Sequence, residues 1–413
     1  MLHVLRRLLS FKTGSAPSQW LNRDALLICL SAFFADMGYQ AVTAVFPLLI
    51  IIQLKEPAYV YGLLLALSYG VGSAFSMVGG RLGDRHGKKG IALAGNLLIP
   101  LMSMSVLFSN ILLVGAFFVF GWWARYFRTP ARRAWLVEVS SPFHRSKIFG
   151  FLHALDVGGG LIAVVYSVVL VVLKTPLQEI VLVTAVPILA SSVSLAFART
   201  RPHPEFVLEN ATESPRAAHG VEGPNNQNEF VFRALLLSAT FFGFSYYALG
   251  FPIVTVATSQ RSAVLGIATF GIYLGVSALA GFLLGSVRGK RPFRTLWTLG
   301  YMLAALSSLT IGLSYALHSS LGLYYLGAAG LGFATGSVET FEPVLTSTLV
   351  KAERLSSGMG WLSSSRAVGL FVSNIAMGIL FTFSQLDSYL YASVTAVAAS
   401  VILMVVELKT GVR

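Results

Sequence analysis

GGRLGDRHGKKG, residues 79–90, stands between two long apolar runs. Arg81, Asp84, Arg85, Lys88 and Lys89 are packed among glycines at 79, 80, 83, 87 and 90. The glycines let a backbone turn tightly and approach a neighbouring helix end. The cations favour the cytoplasmic side of a membrane. A lone carboxylate among them can cap the positive end of another helix. The stretch is expected to be a short cytoplasmic loop joining two membrane spans.

Composition extends that reading to the whole chain. Of 413 residues, 55% are hydrophobic and 11% charged, and the mean hydropathy is +0.73. A soluble domain carries about 25% charged residues. An all-α integral membrane protein is expected. The formal charge of +13 could suggest nucleic acid. The cations lie between apolar spans, however, so the anionic inner leaflet is the expected partner and nucleic acid is not. The single cysteine, Cys29, leaves no disulfide framework and no cysteine metal site. The basic first 20 residues lack the apolar core and cleavage site of a signal peptide.

Twelve spans are read, at 24–52, 59–79, 90–108, 111–128, 147–173, 177–198, 231–257, 263–286, 294–316, 320–349, 355–383 and 388–408. With both termini cytoplasmic, 25 of the 30 Lys and Arg fall inside and three outside, Lys55, Lys174 and Arg261. That is a strong positive-inside asymmetry, and it places the chain as a multi-pass protein of the cell membrane. The longest polar stretch, 199–229, is rich in Pro, Gly, Asn and Glu and reads as a linker. The division is a cytoplasmic segment 1–23, a six-helix bundle 24–198, the cytoplasmic linker 199–229 and a second six-helix bundle 230–413.

The two bundles repeat each other weakly. SAFFADMGY at 31–39 matches SATFFGFSY at 238–246, and each precedes a Phe-Pro, Phe46-Pro47 and Phe251-Pro252. FGFLHALDVGG at 149–159 matches MGWLSSSRAVG at 359–369, at an offset of 210. A duplicated bundle with a site at the repeat interface suits a carrier that rocks.

Gly80, Leu82, Asp84, Arg85, Gly87, Lys88 and Lys89 resemble the signature loop of the major facilitator superfamily, G-x-L-x-D-R-x-G-R/K-K/R. ARYFRTPARRAWLVE at 124–138, followed by FGFLHALDVGG, is similar to one of its subgroups. Two departures stand out: His153 where an Arg is usual, and Arg133 where an Asp is usual. The resemblance implies two pseudo-symmetric six-helix bundles, with helices 1, 4, 7 and 10 around a central cavity and 2, 5, 8 and 11 at the interface. It implies a secondary active transporter working by alternating access, without a cofactor, and not an enzyme. The helix-five antiporter signature G-x-x-x-G-P-x-x-G-G is not kept; the segment reads GGGLIAVVYS.

Ionisable groups inside spans cost about 2.5–3.5 kcal/mol each, so they mark pairing or function. Asp36, deep in span one, is the expected carrier of a coupling proton, with Asp156 and His153 on one face of span five as a proton relay or a fixed pair. Arg125 is the deepest arginine of span four, within reach of Asp36 or an anionic solute group. Arg128 onward is expected to reach the headgroups, and Glu138 to lie in the loop beside them. Glu339 and Glu342 share a face of span ten; Arg366 in span eleven, at the repeat position of Asp156, can pair with either or bind solute. Tyr39, Gln40, Tyr246, Tyr247 and Asn374 complete the expected solute-binding set with Arg125, Glu339 and Arg366. Gly80, Asp84, Arg85, Gly87, Lys88, Lys89 and Glu342 are the expected gating set. In the inside-closed state the loop would clamp helix eleven, and Glu342 would pair with cytoplasmic cations.

No Walker loop, GxSxG, HExxH or potassium-channel filter is present. The expected function is transport of a small solute, coupled to protons, by a monomer. An exporter of cationic drugs is the alternative, and below it a divalent-metal carrier using Asp36, Asp156 and His153, or a transport-dead receptor.

Overall fold

A computed structural model describes residues 21–141, 145–200, 226–286, 291–350 and 355–411. The basic start of the chain and most of the linker at 199–229 lie outside them. Among the described residues there is no strand. The described residues form twelve long helices: α1 Arg23–Gln53, α2 Ala58–His86, α3 Lys88–Leu107, α4 Ile111–Val139, α5 Arg145–Val172 and α6 Leu177–Phe197, then α7 Gln227–Ser259, α8 Ala263–Ser286, α9 Pro292–Ala316, α10 Leu321–Leu349, α11 Leu355–Phe383 and α12 Gln385–Thr410. Eleven of them, all but α10, are long and apolar enough to cross a membrane.

Local chemistry explains where these helices start and stop. Asn22 accepts from the Ala25 amide at 2.8 Å, and Asn110 accepts from the Leu112 amide at 2.8 Å. Such side chains satisfy helix-start amides that the helix itself leaves open. The turns after α1, α5, α7 and α9 are closed by Lys55, Lys174, Arg261 and His318, with φ of 58°, 60°, 50° and 48°. Three of these four are the very cations that break the charge asymmetry. A left-handed residue reverses the chain at a helix end, so backbone geometry sets their position.

The stretch 79–90 is mostly helix. Helix α2 runs on to His86, and α3 begins at Lys88. Only Gly87 lies outside, with φ 95°, which only glycine adopts freely. The expected loop of twelve residues is therefore a hinge of one. Gly79 serves packing: a Cβ there would stand 1.8 Å from the Phe127 carbonyl oxygen of α4.

Helix α4 is also longer than expected. It continues past 128 to Val139, carrying Pro130 within it. Arg128 and Arg132 do not reach outward to headgroups. They are 1% and 3% exposed, packed inside the first bundle. Arg128 is hydrogen-bonded to the Asn96 side-chain oxygen of α3. Glu138 lies on the helix and pairs with Lys88, and among the described residues it pairs with no arginine.

The repeat read from the sequence is present in the packing. Gly159 of α5 abuts α1: its Cβ would lie 2.3 Å from the Phe33 carbonyl oxygen. Gly369 of α11 abuts α7: its Cβ would lie 2.6 Å from the Thr240 carbonyl oxygen. The offsets, 210 and 207, are those of the matched segments.

Candidate functional site

A cavity of about 1120 Å³ lies between the two bundles. Its lining comes from α1, α2, α4 and α5 on one side and α7, α8, α10 and α11 on the other. It extends from mid-bundle toward the end that carries the Gly87 turn, where Gly150 and His153 are exposed.

The opposite end is sealed by contacts across the halves. Tyr61 meets Phe251 of the second bundle edge-on at 5.5 Å, and within that bundle Phe381 backs Phe251 at 5.2 Å. The Tyr59 amide donates to the Thr382 hydroxyl at 3.1 Å. At Gly62 a Cβ would lie 2.3 Å from the Asn374 carbonyl oxygen, so α2 and α11 touch backbone to backbone.

Helix α7 is unwound at 246–248 beside the cavity. Pro252 explains the break, since its ring clashes with the carbonyl four residues earlier, that of Ala248. Irregular backbone at this depth persists where it lines a cavity and finds partners. Asn374 supplies one: its Oδ1 accepts from the Ala248 amide at 3.2 Å, and its Nδ2 donates to the Leu370 carbonyl at 2.8 Å. Asn374 is fully buried and absent from the cavity wall. It caps the break in α7, and the expectation that it contacts solute is corrected.

Arg125 stands on the wall formed by the first bundle. Its guanidinium carbon lies 4.4 Å from the Tyr39 ring centre, 5.1 Å from Trp122 and 5.6 Å from Tyr126. Its Nη2 donates to the Tyr39 hydroxyl at 3.3 Å. The aromatic faces attract the cation without neutralising it. Among the described residues no carboxylate lies within ion-pair distance of it. Gln40, Tyr246, Tyr247 and His153 also line the cavity. Tyr247 is tied to Ser308 at 3.2 Å, and Tyr246 approaches the Tyr273 hydroxyl at 3.5 Å.

Asp36 and Asp156 sit behind this wall. Asp36 is 5% exposed; its Oδ2 and the Asp156 Oδ1 are buried and have no hydrogen-bond partner among the described residues. Asp36 lies in the field of Asp156, Arg125 and Arg132, with the Tyr39 hydroxyl beside it. His153 and Asp156 diverge: one faces the cavity, the other the interior of the first bundle. Among the described residues no hydrogen bond joins them. No three His, Cys, Asp or Glu among the described residues stand close enough to hold a metal ion.

On the facing wall Glu339 lines the cavity and is paired with Arg366. Arg366 Nε also lies 3.5 Å from Glu342 Oε2. Glu342 is fully buried and accepts from the Tyr301 hydroxyl at 2.8 Å. Its partners here are Arg366 and Tyr301, not cytoplasmic cations, because α10 turns it into its own bundle. Tyr301 was not singled out in the sequence. It sits in a widened turn of α9, Leu296–Met302, a feature that periodicity does not reveal.

In the gating set, Gly80 packs loosely against Pro130, and Asp84 and Arg85 are exposed. Lys88 reaches Glu138 of α4, and Lys89 donates to the Ala196 and Ala198 carbonyls at the end of α6, at 2.9 and 2.7 Å. The hydrogen bonds of the turn thus run to helices of its own bundle.

Residues 28–374 match the family model of the Major Facilitator Superfamily. The chain belongs to that superfamily. A search of curated proteins returns no match. Solved structures of similar fold include a POT family transporter in complex with 5-aminolevulinic acid, 12% identical, TM-score 0.73, covering 94% of this chain and 96% of that one. A bacterial homologue of the human lysosomal transporter Spinster, in an inward-facing and occupied conformation, is 15% identical, with TM-score 0.66 and coverage of 96% and 97%. The nucleoside transporter NupG is 12% identical, with TM-score 0.71 and coverage of 94% and 99%. At these identities the likeness is one of fold. Membership makes the chain a multi-pass membrane transporter and accounts for the two bundles and the cavity between them.

Proposed function

We propose that this superfamily member is a proton-coupled carrier of a small solute bearing an acidic group, working by alternating access as a monomer of the cell membrane with both termini cytoplasmic. One observation carries the reading. The cavity between the bundles presents Arg125, caged by aromatic rings and free of any described carboxylate partner, to mid-membrane space. A solute carboxylate or phosphate there would gain a charge-assisted bond in a weakly screened setting. An accessible guanidinium argues against cationic drugs. The divergence of His153 from Asp156 argues against a metal cargo.

Asp36 is the proposed coupling group. It is buried directly behind Arg125, with one carboxylate oxygen unpartnered. Solute bound at Arg125 would draw the guanidinium's field away from Asp36 and favour its protonated form. Gln40, Tyr246 and Tyr247 would shape the cavity around the solute. The Gly87 turn, with Asp84 and Arg85 exposed, is the proposed clamp for α11 when the cavity closes.

A thermal-shift screen of the purified protein at acidic and neutral pH tests this, using organic acids, amino acids, peptides, nucleosides, sugars, cationic drugs and divalent metals. An anionic or zwitterionic hit, lost in Arg125→Met, is expected. In proteoliposomes, Asp36→Asn is expected to abolish pH-gradient-driven uptake of that hit and keep solute exchange. Unchanged gradient-driven uptake in Asp36→Asn would sink the coupling assignment.

A further inference from the structure

We propose that His153 and Arg133 form a second anion contact toward the open end of the cavity, so that the solute is an extended molecule with an acidic group at each end. The proposal rests on the reading of Arg125 as the first contact and adds the second.

The wall of the first bundle holds more positive charge than its own carboxylates neutralise. Arg125, Arg128, Arg132 and Arg133 lie on α4, and the carboxylates of that bundle in their field are Asp36 and Asp156. Two guanidiniums are left over. Arg128 and Arg132 are buried and closed to any solute. Arg125 lines the cavity, and Arg133 is exposed. The guanidiniums that reach open space thus match the surplus. Among the described residues no carboxylate lies within ion-pair distance of Arg133 or His153. Cations left unpaired beside a cleft draw anions into it.

Arg133 and His153 share a level. Arg133 is eight residues beyond Arg125 on α4, about 12 Å along the helix. On α5, Gly160 packs against Gln40, the neighbour of the Tyr39 that holds Arg125. His153 is seven residues nearer the start of α5, about 10 Å toward the same end. Glu339, on the opposite wall, lies in the field of both, so both side chains face the space between the bundles. That carboxylate is already engaged by Arg366. The sequence departs from the subgroup pattern at these same two positions, and the exchange replaces an acid and a base by two bases.

An acid held at Arg125 leaves the rest of an extended solute directed toward the open end. A second acid there meets the Arg133 guanidinium, which supplies charge, and the His153 imidazole, which donates a hydrogen bond in either protonation state. The second contact is made without a second loss of translational freedom. A monoacid of equal length forgoes it, and a short diacid cannot span the gap. The wall therefore selects by length and by second charge.

Titration calorimetry on the full chain in detergent at neutral pH tests this, with suberate and succinate as probes, each beside its monoamide. Suberate is expected to bind about tenfold tighter than its monoamide, and succinate to gain nothing over its own. Arg133→Gln and His153→Gln should each shrink the suberate preference, and the double variant should bring the ratio to about one. Should Arg133→Gln not fold, Arg133→Lys, expected to keep a preference, and His153→Gln still read the contact. Equal affinity for suberate and its monoamide in wild type, or a preference that survives the double variant, overturns the proposal; Arg125 stands as the first contact if Arg125→Met abolishes binding of the monoamide. Carboxylates that bind regardless of Arg125→Met, or that do not bind at all, overturn both readings.

Discussion

The two bundles share a backbone plan and differ in sign. Gly159 against Phe33 and Gly369 against Thr240 are the same contact made twice. Around the first stand Arg125, Arg128, Arg132 and Arg133 of α4 with the carboxylates Asp36 and Asp156. Beside the second stand two glutamates of α10 and one arginine of α11. The places where these helices touch are alike in the two bundles, and the polar interior differs. The close contacts are therefore structural, while the charge pattern gives each wall its own chemistry.

Three pairs of substitutions break or sharpen that comparison. Gly159→Leu and Gly369→Leu force a side chain into a carbonyl of the neighbouring helix. Each is expected to cost about 3 kcal/mol, read as a matched fall in detergent melting temperature. A tolerant member of the pair would show that the repeat is only superficial. The charges should respond unequally. Arg366→Met removes a charge-assisted bond to Glu339 and is expected to cost about 2 kcal/mol. Arg132→Met removes a buried guanidinium with two unpartnered nitrogens, and is expected to change stability by less than about 1 kcal/mol. Equal losses by denaturant titration would mean that the first bundle is as tightly paired as the second. The smallest effect belongs to the turns. Lys55→Gly and Arg261→Gly relieve left-handed backbone at matching positions after α1 and α7. Each should raise stability by about 0.5 kcal/mol in the same melting assay.

Much of the fold was legible in the chain. The spans, the positive-inside count, the central polar stretch and the matched segments all reflect what a bilayer demands of any sequence. The boundary of α4 was misread at residue 128 because arginines in a membrane protein suggest water. Arg128 instead finds Asn96 and turns inward. The Gly79–His86 segment was misread for a related reason: glycines suggest turns, and here Gly79 and Gly83 exist to let α4 approach. Within the site, Arg125, Glu339 and the tyrosines could be found by depth and polarity. Asn374 could not be sorted from them, since a cap and a ligand contact carry the same amide. The break it caps was foreshadowed by Pro252. Tyr301 left no trace, because a buried tyrosine at mid-helix is ordinary until its partner is known.

The aromatic seal opposite the cavity has a consequence for heat. Tyr61 comes from the first bundle, Phe251 and Phe381 from the second, so parting the bundles at that end wets faces that are now dry. Wetting apolar surface raises heat capacity, and the drive to keep it dry weakens on cooling. That end of the molecule is thus held by a fastening that loosens in the cold, while the ion pairs along the cavity follow a different temperature law.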